Sequence, residues 1–474
     1  MGSDNLSMPQ NFIECSREQV FLMPPDVRDW LPENHLVWLV LDAVEEMDLA
    51  AFYVGYRQDG HGRPAYEPSM MVALLLYAYA RGQRSSRGIE RDCLDDVAFR
   101  VIAANQRPDH SAIARFVERH EDALAGVFSG VLAVCAKAGL VKVGVIAIDG
   151  TKVPATANRD QTLDYEQIAR EILAEAKAVD AAEDELYGKA RGDELPAEFS
   201  TAHGRRGWLR EAKRQLDRER AAKARPVPRS RQKRLKEAKR QLEAELAVEC
   251  RANAEYEHYR AHARDSRGRR LGARPKPFEP PATPAGPINV TDPDSRLLKS
   301  PRGFVQGYNA QLVTNEGQIV IAAEITVDSP DFGHLEPMVT AAERELAAAG
   351  VRETPGVALA DSGYWHKEQM QSIINGGTQV LIPPESVKRE AARPGWQGGL
   401  YDHMRRVLDT DYGGGLYRKR QGMIEPVFAQ TKSNRGMGRF RRRGRSAVRT
   451  EWRLINATHN ILKLHKHQLV LAAA

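Results

Sequence analysis

One carboxylate, Glu425, lies within the most strongly basic stretch of the chain, residues 416–449. Lys432 follows it after six intervening residues, so on a helix the two side chains would lie about two turns apart on one face. Alone, an acid in this setting is explained by a salt bridge to a neighbouring base. If other acids converge on it, the chemistry changes, because clustered carboxylates bind a divalent metal ion and the surrounding cations bind phosphate.

Two further acids follow apolar runs that are typical of buried strands. Asp149 is predicted at the end of the strand in LVKVGVIAIDG, with an extension of that strand over residues 151–153 as the alternative, and Asp361 ends the short run VALAD. An acid at the end of a buried strand is costly unless it is paired or binds a metal. If the two strands are neighbours in one sheet, Asp149 and Asp361 lie side by side.

Three carboxylates of this kind suit phosphodiester chemistry. Cleavage requires an activated attacking oxygen and a stabilised leaving oxygen, and two magnesium ions about 4 Å apart provide both. Hard cations take oxygen ligands, which Asp149, Asp361 and Glu425 offer. Because Asp and Glu are common residues, the three acids alone do not establish this chemistry.

The elements that must position these acids indicate an α/β fold. With residues 161–287 set aside, the predicted order is three strands, a helix, a strand, a helix, a strand and a helix, which fits a mixed sheet with helices on its faces. The predicted parts are an all-α N-terminal domain at 1–140, a sheet domain at 141–160 and 288–448, a charged helical insertion with a proline-rich linker at 161–287, and a C-terminal helix at 449–474.

Two local expectations concern the segment around Glu425. Residues 385–415 are predicted as a glycine-rich loop, and Pro426 is expected to begin or bend a helix. Leucines in the insertion form a narrow stripe, which predicts a helical hairpin or coiled coil with largely solvated faces.

Composition narrows the function classes. The chain has 474 residues and a formal net charge of +6, and its basic residues concentrate in the last hundred positions and in 205–240. The C-terminal concentration suits a polyanion, foremost nucleic acid, whereas solvated helix faces explain residues 205–240 better. Four single cysteines indicate neither a zinc site nor a disulfide framework. No apolar run approaches the ~18 residues that span a bilayer, so a soluble cytoplasmic protein without a membrane partner is expected.

Several motifs, in order along the chain, resemble those of the DDE transposases of bacterial insertion sequences. They are VIAIDGTKVPATAN around Asp149, VALADSGYW around Asp361 and YRKRQGMIEPVFAQTK around Glu425. The last is similar to the Y-x2-R-x3-E-x6-K signature of that superfamily, although four residues rather than three separate Arg420 from Glu425. EPSMMVALLLYAYARGQRSSRGIERDCLDD resembles the N-terminal domain of insertion-sequence-five-type transposases.

The resemblance implies a ribonuclease-H-like catalytic domain and a role for each matching residue. Asp149, Asp361 and Glu425 would hold two Mg²⁺ ions, for which Mn²⁺ would substitute. Tyr417, Arg420 and Lys432 would contact phosphates near the cleaved end. The DNA backbone would be held by the arginines that follow, which are Arg435, Arg439, Arg441, Arg442 and Arg443.

The implied reaction is cleavage at the inverted-repeat ends of the element, followed by attack of the freed 3′ hydroxyl on target DNA. The partner would be double-stranded DNA, read by the N-terminal domain, and two ends would require a homodimer on DNA. Two alternatives stay open from the sequence. One is a nuclease of the same fold that cuts without strand transfer, and the other is a DNA-binding regulator without catalysis.

Overall fold

The structure, a computed structural model, describes residues 12–13, 26–56, 64–177, 204–222, 226–262, 264, 268, 277–281, 283–300, 303–385 and 396–473. The chain divides into two compact units. The first unit comprises residues 1–154, 298–441 and 447–474, and the second comprises residues 155–297 and 442–446.

The first unit begins with helices that pack around one fully buried helix. In chain order these helices are α1 (Leu36–Glu45), α2 (Ala50–Tyr53), α3 (Pro68–Ala80), α4 (Ser86–Asp95), α5 (Val97–Ile102), α6 (His110–Arg119) and α7 (Glu121–Lys137). Helix α3 starts as predicted, with Pro68 in its first turn and the Glu67 carboxylate accepting from the Met70 N–H, and it ends before Gly82, whose φ of +80° suits glycine. A short parallel pair, β1 (Phe12–Ile13) with β2 (Ala65–Tyr66), also occurs in this region, which was predicted to be all-α.

A six-stranded mixed sheet forms the rest of the core within the described part of the first unit. Its strands are β3 (Val145–Pro154), β6 (Arg296–Ser300), β7 (Gly303–Asn315), β8 (Val320–Thr326), β9 (Val357–Leu359) and β10 (Gln379–Leu381). The order is β10-β9-β3-β7-β6, and β8 also pairs with β7. Strands β3, β7 and β8 are antiparallel, whereas β9 and β10 run parallel to β3. The predicted α/β class is therefore confirmed.

Asp149 lies in the middle of β3 rather than at the end of the strand, because the antiparallel pairing with β7 continues to Pro154 opposite Gly307. Of the two strand ends that the sequence allowed, the extension over residues 151–153 is confirmed. The parallel partner on the other side stops earlier, since its last pair joins Ala147 to Leu359. Asp149 thus lies just beyond the last residue of β3 that pairs with β9, in the part of β3 that pairs only with β7.

Helices flank the sheet and connect its strands. They are α11 (Leu335–Ala348), α12 (Lys367–Asn375), α13 (Gly399–Asp409), α14 (Asp411–Ala429) and α15 (Arg445–Ala473). The last corresponds to the predicted C-terminal helix and begins four residues earlier, at Arg445. Its Asn460 side chain accepts from the Val320 N–H and donates to the Val320 carbonyl, both at 2.8 Å, at the irregularity between β7 and β8.

The predicted loop at 385–415 is wrong where the structure describes it, because α13 and the start of α14 occupy residues 399–415. The glycines at the start of α14 allow close packing against the end of α13. A Cβ at Gly413 would lie 2.1 Å from the Val407 carbonyl oxygen, and one at Gly414 would lie 2.7 Å from that of Leu408. Glycine therefore lets α14 begin directly against the end of α13.

Helix α14 does not begin at Pro426, which instead lies inside the helix. A proline inside a helix leaves the carbonyl four residues earlier without its N–H partner. Here that carbonyl, of Gly422, accepts from Gln318 Nε2 at 2.8 Å. The helix continues to Ala429 and then widens into a π-helical turn, Gln430–Asn434.

The second unit contains α8 (Tyr165–Lys177), α9 (Gly204–Ala222), α10 (Arg231–His262) and the antiparallel pair of β4 (Thr162–Leu163) with β5 (Ile288–Asn289). Leu235 and Leu242 from the predicted stripe are buried against Ile168 and Ile288. The helical prediction is confirmed, and the unit has an apolar core of its own rather than only solvated helix faces.

Candidate active site

Strand pairing places the first two predicted acids side by side. Asp149 and Asp361 each lie two residues beyond the pair Ala147–Leu359, which is the last pair between β3 and β9. Burial raises the pKa of Asp149 from 3.8 to about 6, and the neighbouring charge of Asp361 adds to this effect. Burial also raises the pKa of Asp361. Burial therefore outweighs the nearby cations, which lower both pKa values.

Helix α14 brings two predicted phosphate-contacting residues to this pair. Arg420 Nη1 lies 3.0 Å from Asp149 Oδ2, and the two side chains are only 14% and 19% exposed. The guanidinium carbon of Arg420 lies 5.9 Å from the ring centre of Tyr417, whose pKa is raised by burial. Arg420 therefore neutralises part of the charge of the pair.

Glu425 does not join the other two acids in this structure. Its side chain is exposed on α14, where Oε2 accepts from Gln421 Nε2 at 3.1 Å. Among the residues that the structure describes, no three His, Cys, Asp or Glu side chains lie close enough together to hold a metal ion. The simple salt bridge that the sequence allowed for Glu425 is not formed either, since Arg420 pairs with Asp149.

Lys432, in the π-helical turn Gln430–Asn434, contacts β3 and lies away from the exposed face of α14 that carries Glu425. Its Nζ donates to Thr151 Oγ1 and lies 3.4 Å from the Lys152 carbonyl oxygen. Burial and the charge of Lys152 lower the pKa of Lys432. The shared face expected for Glu425 and Lys432 assumed a regular α-helix, and the π-helical turn at Gln430–Asn434 interrupts that helix.

A third acid that the sequence analysis missed, Asp331, lies beside the carboxylate pair. It forms a salt bridge with Lys152 at 3.2 Å and accepts from Asn309 Nδ2 at 2.8 Å and Gln311 Nε2 at 2.9 Å. The charge of Asp331 contributes, after burial, to the raised pKa of Asp361. Its sequence setting, SPDFGH, is a turn, and the alternating polar residues Asn309 and Gln311 in the otherwise apolar strand β7 were the available signal.

Gly150 is required for this arrangement. A Cβ at Gly150 would lie 2.1 Å from Gln311 Nε2, 2.7 Å from Asp331 Oδ1 and 2.9 Å from Asn309 Oδ1. The absence of a side chain directly after Asp149 therefore lets the polar side chains from β7 and Asp331 approach the strand that carries the acid.

The predicted DNA-binding arginines occupy different environments. Arg435 is directed inward, where Nη2 donates to the Ile455 carbonyl at 2.9 Å and to Thr458 Oγ1 at 2.7 Å. Burial and the nearby charge of Arg84 lower its pKa to about 10. In this position the Arg435 guanidinium is not available to a phosphate.

Arg439 and Arg441 have exposed side chains on a segment whose backbone is fixed from within. Glu451, fully buried, accepts from the Arg441 N–H at 3.0 Å and forms a buried salt bridge with Arg84 at 2.6 Å. Arg84 also donates to the Arg439 carbonyl at 2.9 Å. The pair Arg84–Glu451 thus presents two arginines to solvent. Arg442 and Arg443 belong to the second unit, where Arg443 Nε donates to the Thr156 carbonyl.

Two family models match the chain. A transposase domain matches residues 25–119, and a transposase DDE domain matches residues 389–465. The two matches support an insertion-sequence DDE transposase. Searches of curated proteins and of solved structures found no match.

The two matched regions of the chain bear differently on the site. The first contains most of the N-terminal helices, from α1 to α6. The second contains Tyr417, Arg420, Glu425 and Lys432, whereas Asp149 and Asp361 lie outside it. None of the described helices is both long and apolar enough to cross a membrane.

Proposed function

We propose that this transposase cleaves DNA at the inverted-repeat ends of its insertion sequence and joins them to target DNA in a metal-dependent reaction. The observation that carries the proposal is the buried pair Asp149–Asp361, beside cations supplied by α14 and the π-helical turn that follows it. We further propose that the mixed sheet is ribonuclease-H-like, since β3 with its acid is central, antiparallel to β7 and parallel to β9.

The donor chemistry of the pair fits a divalent metal ion. Two adjacent carboxylates are hard oxygen ligands, and burial, which raises their pKa values, is a cost that the charge of Mg²⁺ or Mn²⁺ would offset. We propose Asp149, Asp361 and Glu425 as the ligands of two such ions. Bound there, the ions would activate the attacking oxygen and stabilise the leaving oxygen of the phosphodiester.

Two side chains must change position for the three acids to act together. Arg420 must release the Asp149 carboxylate, and Glu425 must leave the solvent-exposed face of α14. A DNA phosphate near the site offers Arg420 an alternative bidentate partner, so DNA binding and release of Asp149 are coupled. Tyr417 moves with Arg420 because both lie on the same face of α14.

The remaining cations are proposed to hold the DNA. Lys432 lies beside β3 and would neutralise a phosphate close to the acids. Arg439 and Arg441 project from their fixed segment into solvent, as backbone contacts require. The N-terminal helices would bind the inverted repeats, and two chains would meet on paired ends as a dimer. A protein with this substrate would act on the nucleoid in the cytoplasm.

The proposal is tested with linear DNA that carries the ends of the element, Mg²⁺ and the full chain. Asp149→Asn, Asp361→Asn and Glu425→Gln should each abolish cleavage and leave DNA binding within about threefold, because each removes a charge from the reacting centre. Glu343→Gln, which alters an exposed acid on α11, is the matched control and should cleave like the wild type.

Strand-transfer products distinguish the transposase from its alternatives. Wild-type cleavage without joined products would support a nuclease of the same fold. Binding without any cleavage by the wild type would support a DNA-binding regulator. Full cleavage by any of the three acid variants would remove that residue from the proposed centre.

A further inference from the structure

The cation next to Asp361 is restrained by another acid. Lys152 Nζ lies 3.2 Å and 3.3 Å from the two carboxylate oxygens of Asp331. Both side chains are largely buried, at 14% and 18% exposure. Asp361, by contrast, forms no salt bridge with any residue that the structure describes, and its carboxylate accepts only from the Gly363 N–H.

Asp331 is itself held in place by the sheet. The amides of Asn309 and Gln311, both buried on β7, donate to its Oδ1. Gly150 leaves the space in which that oxygen lies. Lys152, Asn309 and Gln311 all donate to the same oxygen of Asp331. This carboxylate is therefore held in one position and is part of the site.

Asp331 and Asp361 flank the same residue, Gly363. A Cβ at Gly363 would lie 2.9 Å from Asp361 Oδ1 and 3.8 Å from the Cβ of Asp331. Burial raises the pKa of Asp361, and the charge of Lys152 partly offsets that rise. If Asp331 were neutral, the Lys152 ammonium would lose its carboxylate partner, which is costly for a largely buried charge, and Asp361 is a carboxylate on which that charge already acts.

Arg420 is a second cation in this site, and it forms a salt bridge with the Asp149 carboxylate. A cation that is free to reach a carboxylate of the pair therefore competes with a metal ion for it. We propose that Asp331 is a positioning residue that holds Lys152 away from Asp361 and so keeps that carboxylate free for a metal ion. The inference rests on the proposed metal-dependent function and adds to it a residue outside the three acids.

The test is Mn²⁺ binding to the full chain with its end DNA, measured by electron paramagnetic resonance and calorimetry against the same DNA alone. Asp331→Asn should weaken Mn²⁺ binding about tenfold or more, which is typical for loss of a residue that orients a ligand. The double variant Asp331→Asn/Lys152→Met should restore the wild-type affinity, because the competing cation is gone. A purely structural role for Asp331 predicts no such rescue.

Two results would overturn the inference: wild-type affinity in Asp331→Asn, or a double variant that binds as weakly as the single one. If Asp331→Asn does not fold, Lys152→Met alone decides. It should bind Mn²⁺ at least as well as the wild type, and weaker binding would show that the lysine supports the metal rather than competes with it.

A metal-free measurement separates this inference from the proposed function. In the Asp331→Asn background, a double-mutant cycle between Lys152→Met and Asp361→Asn should show stability coupling that is absent from the wild-type background. Coupling together with no Mn²⁺ binding by the wild type would contradict the metal-dependent function and leave the restraint of Lys152 intact. No coupling in either background would contradict the restraint itself.

Discussion

Replacing Asp149 with asparagine should make the metal-free protein more stable relative to the wild type at pH 7.5 than at pH 4.5. The pKa of Asp149 is raised from 3.8 to about 6, chiefly by burial. Above pH 6 the carboxylate is ionised in both the folded and the unfolded chain, and holding this charge inside opposes folding. Below pH 6 the folded protein takes up a proton, and this cost disappears as the pH falls towards 3.8.

The size of the effect follows from the two pKa values. Each pH unit between them is worth about 1.36 kcal/mol, so the free energy of unfolding of the wild type should fall by about 2 kcal/mol between pH 4.5 and pH 7.5 through this residue alone. Asparagine does not titrate. Its variant also leaves Arg420 without a carboxylate, but arginine stays charged across this range, so that loss is the same at both pH values.

The assay is urea unfolding of both proteins in EDTA at the two pH values. The difference in free energy of unfolding, variant minus wild type, should be about 2 kcal/mol more favourable at pH 7.5. Asp409→Asn, at an exposed position on α13, is the control and should show no such preference for the higher pH. A difference that is equal at both pH values, or larger at pH 4.5, would refute the assignment of a buried, poorly compensated charge to Asp149.

Two further predictions concern packing and DNA contact. Gly150→Ala should destabilise the protein by about 1–3 kcal/mol in urea unfolding, because its Cβ would lie 2.1 Å from a side-chain amide nitrogen. The control Gly126→Ala, on the exposed side of α7 with nothing within 4 Å of the new Cβ, should stabilise the protein by up to about 1 kcal/mol. Equal effects of the two substitutions would contradict the close packing at Gly150. Replacing Arg439 and Arg441 together with alanine should reduce the slope of the logarithm of the DNA-binding constant against the logarithm of salt concentration by about 1.8, if each contacts one phosphate. The exposed control Arg352→Ala should leave this slope unchanged. An unchanged slope in the double variant would exclude both arginines from the DNA interface.

The strands that lead to the two acids were predictable because they depend on local patterns. The apolar runs before Asp149 and Asp361 each indicate a buried strand, whereas only the fold makes β3 and β9 neighbours. The sequence does not show how far each strand extends past its acid. That depends on β7, which pairs with β3 to Pro154, while β9 stops at Leu359.

Other features depend on contacts between distant residues, which single-sequence patterns do not contain. The glycines around Gly413 indicate a loop by composition, yet they let two helices approach closely. Pro426 is tolerated inside α14 because Gln318, from a hairpin more than a hundred residues earlier, donates to the unpaired carbonyl. Asp331 lies in an ordinary turn motif, and only the fold brings it to Lys152.

Arg435 illustrates the same limit for charge. Its position in a run of arginines predicts a phosphate contact, but its guanidinium donates to the backbone and side chains of α15. A basic stretch therefore indicates that the protein binds a polyanion, whereas the structure decides which of its cations are exposed to that partner.

The central claim is that Asp149, Asp361 and Glu425 meet around bound metal when DNA is present. The most direct measurement is a structure of the full chain with its end DNA and Mn²⁺, in which the metal is located by anomalous scattering. We predict metal density within about 2.0–2.6 Å of oxygens from all three residues, with Arg420 moved from Asp149 to a phosphate. Metal bound elsewhere, or Glu425 still exposed on α14 while Arg420 holds Asp149, would contradict the account.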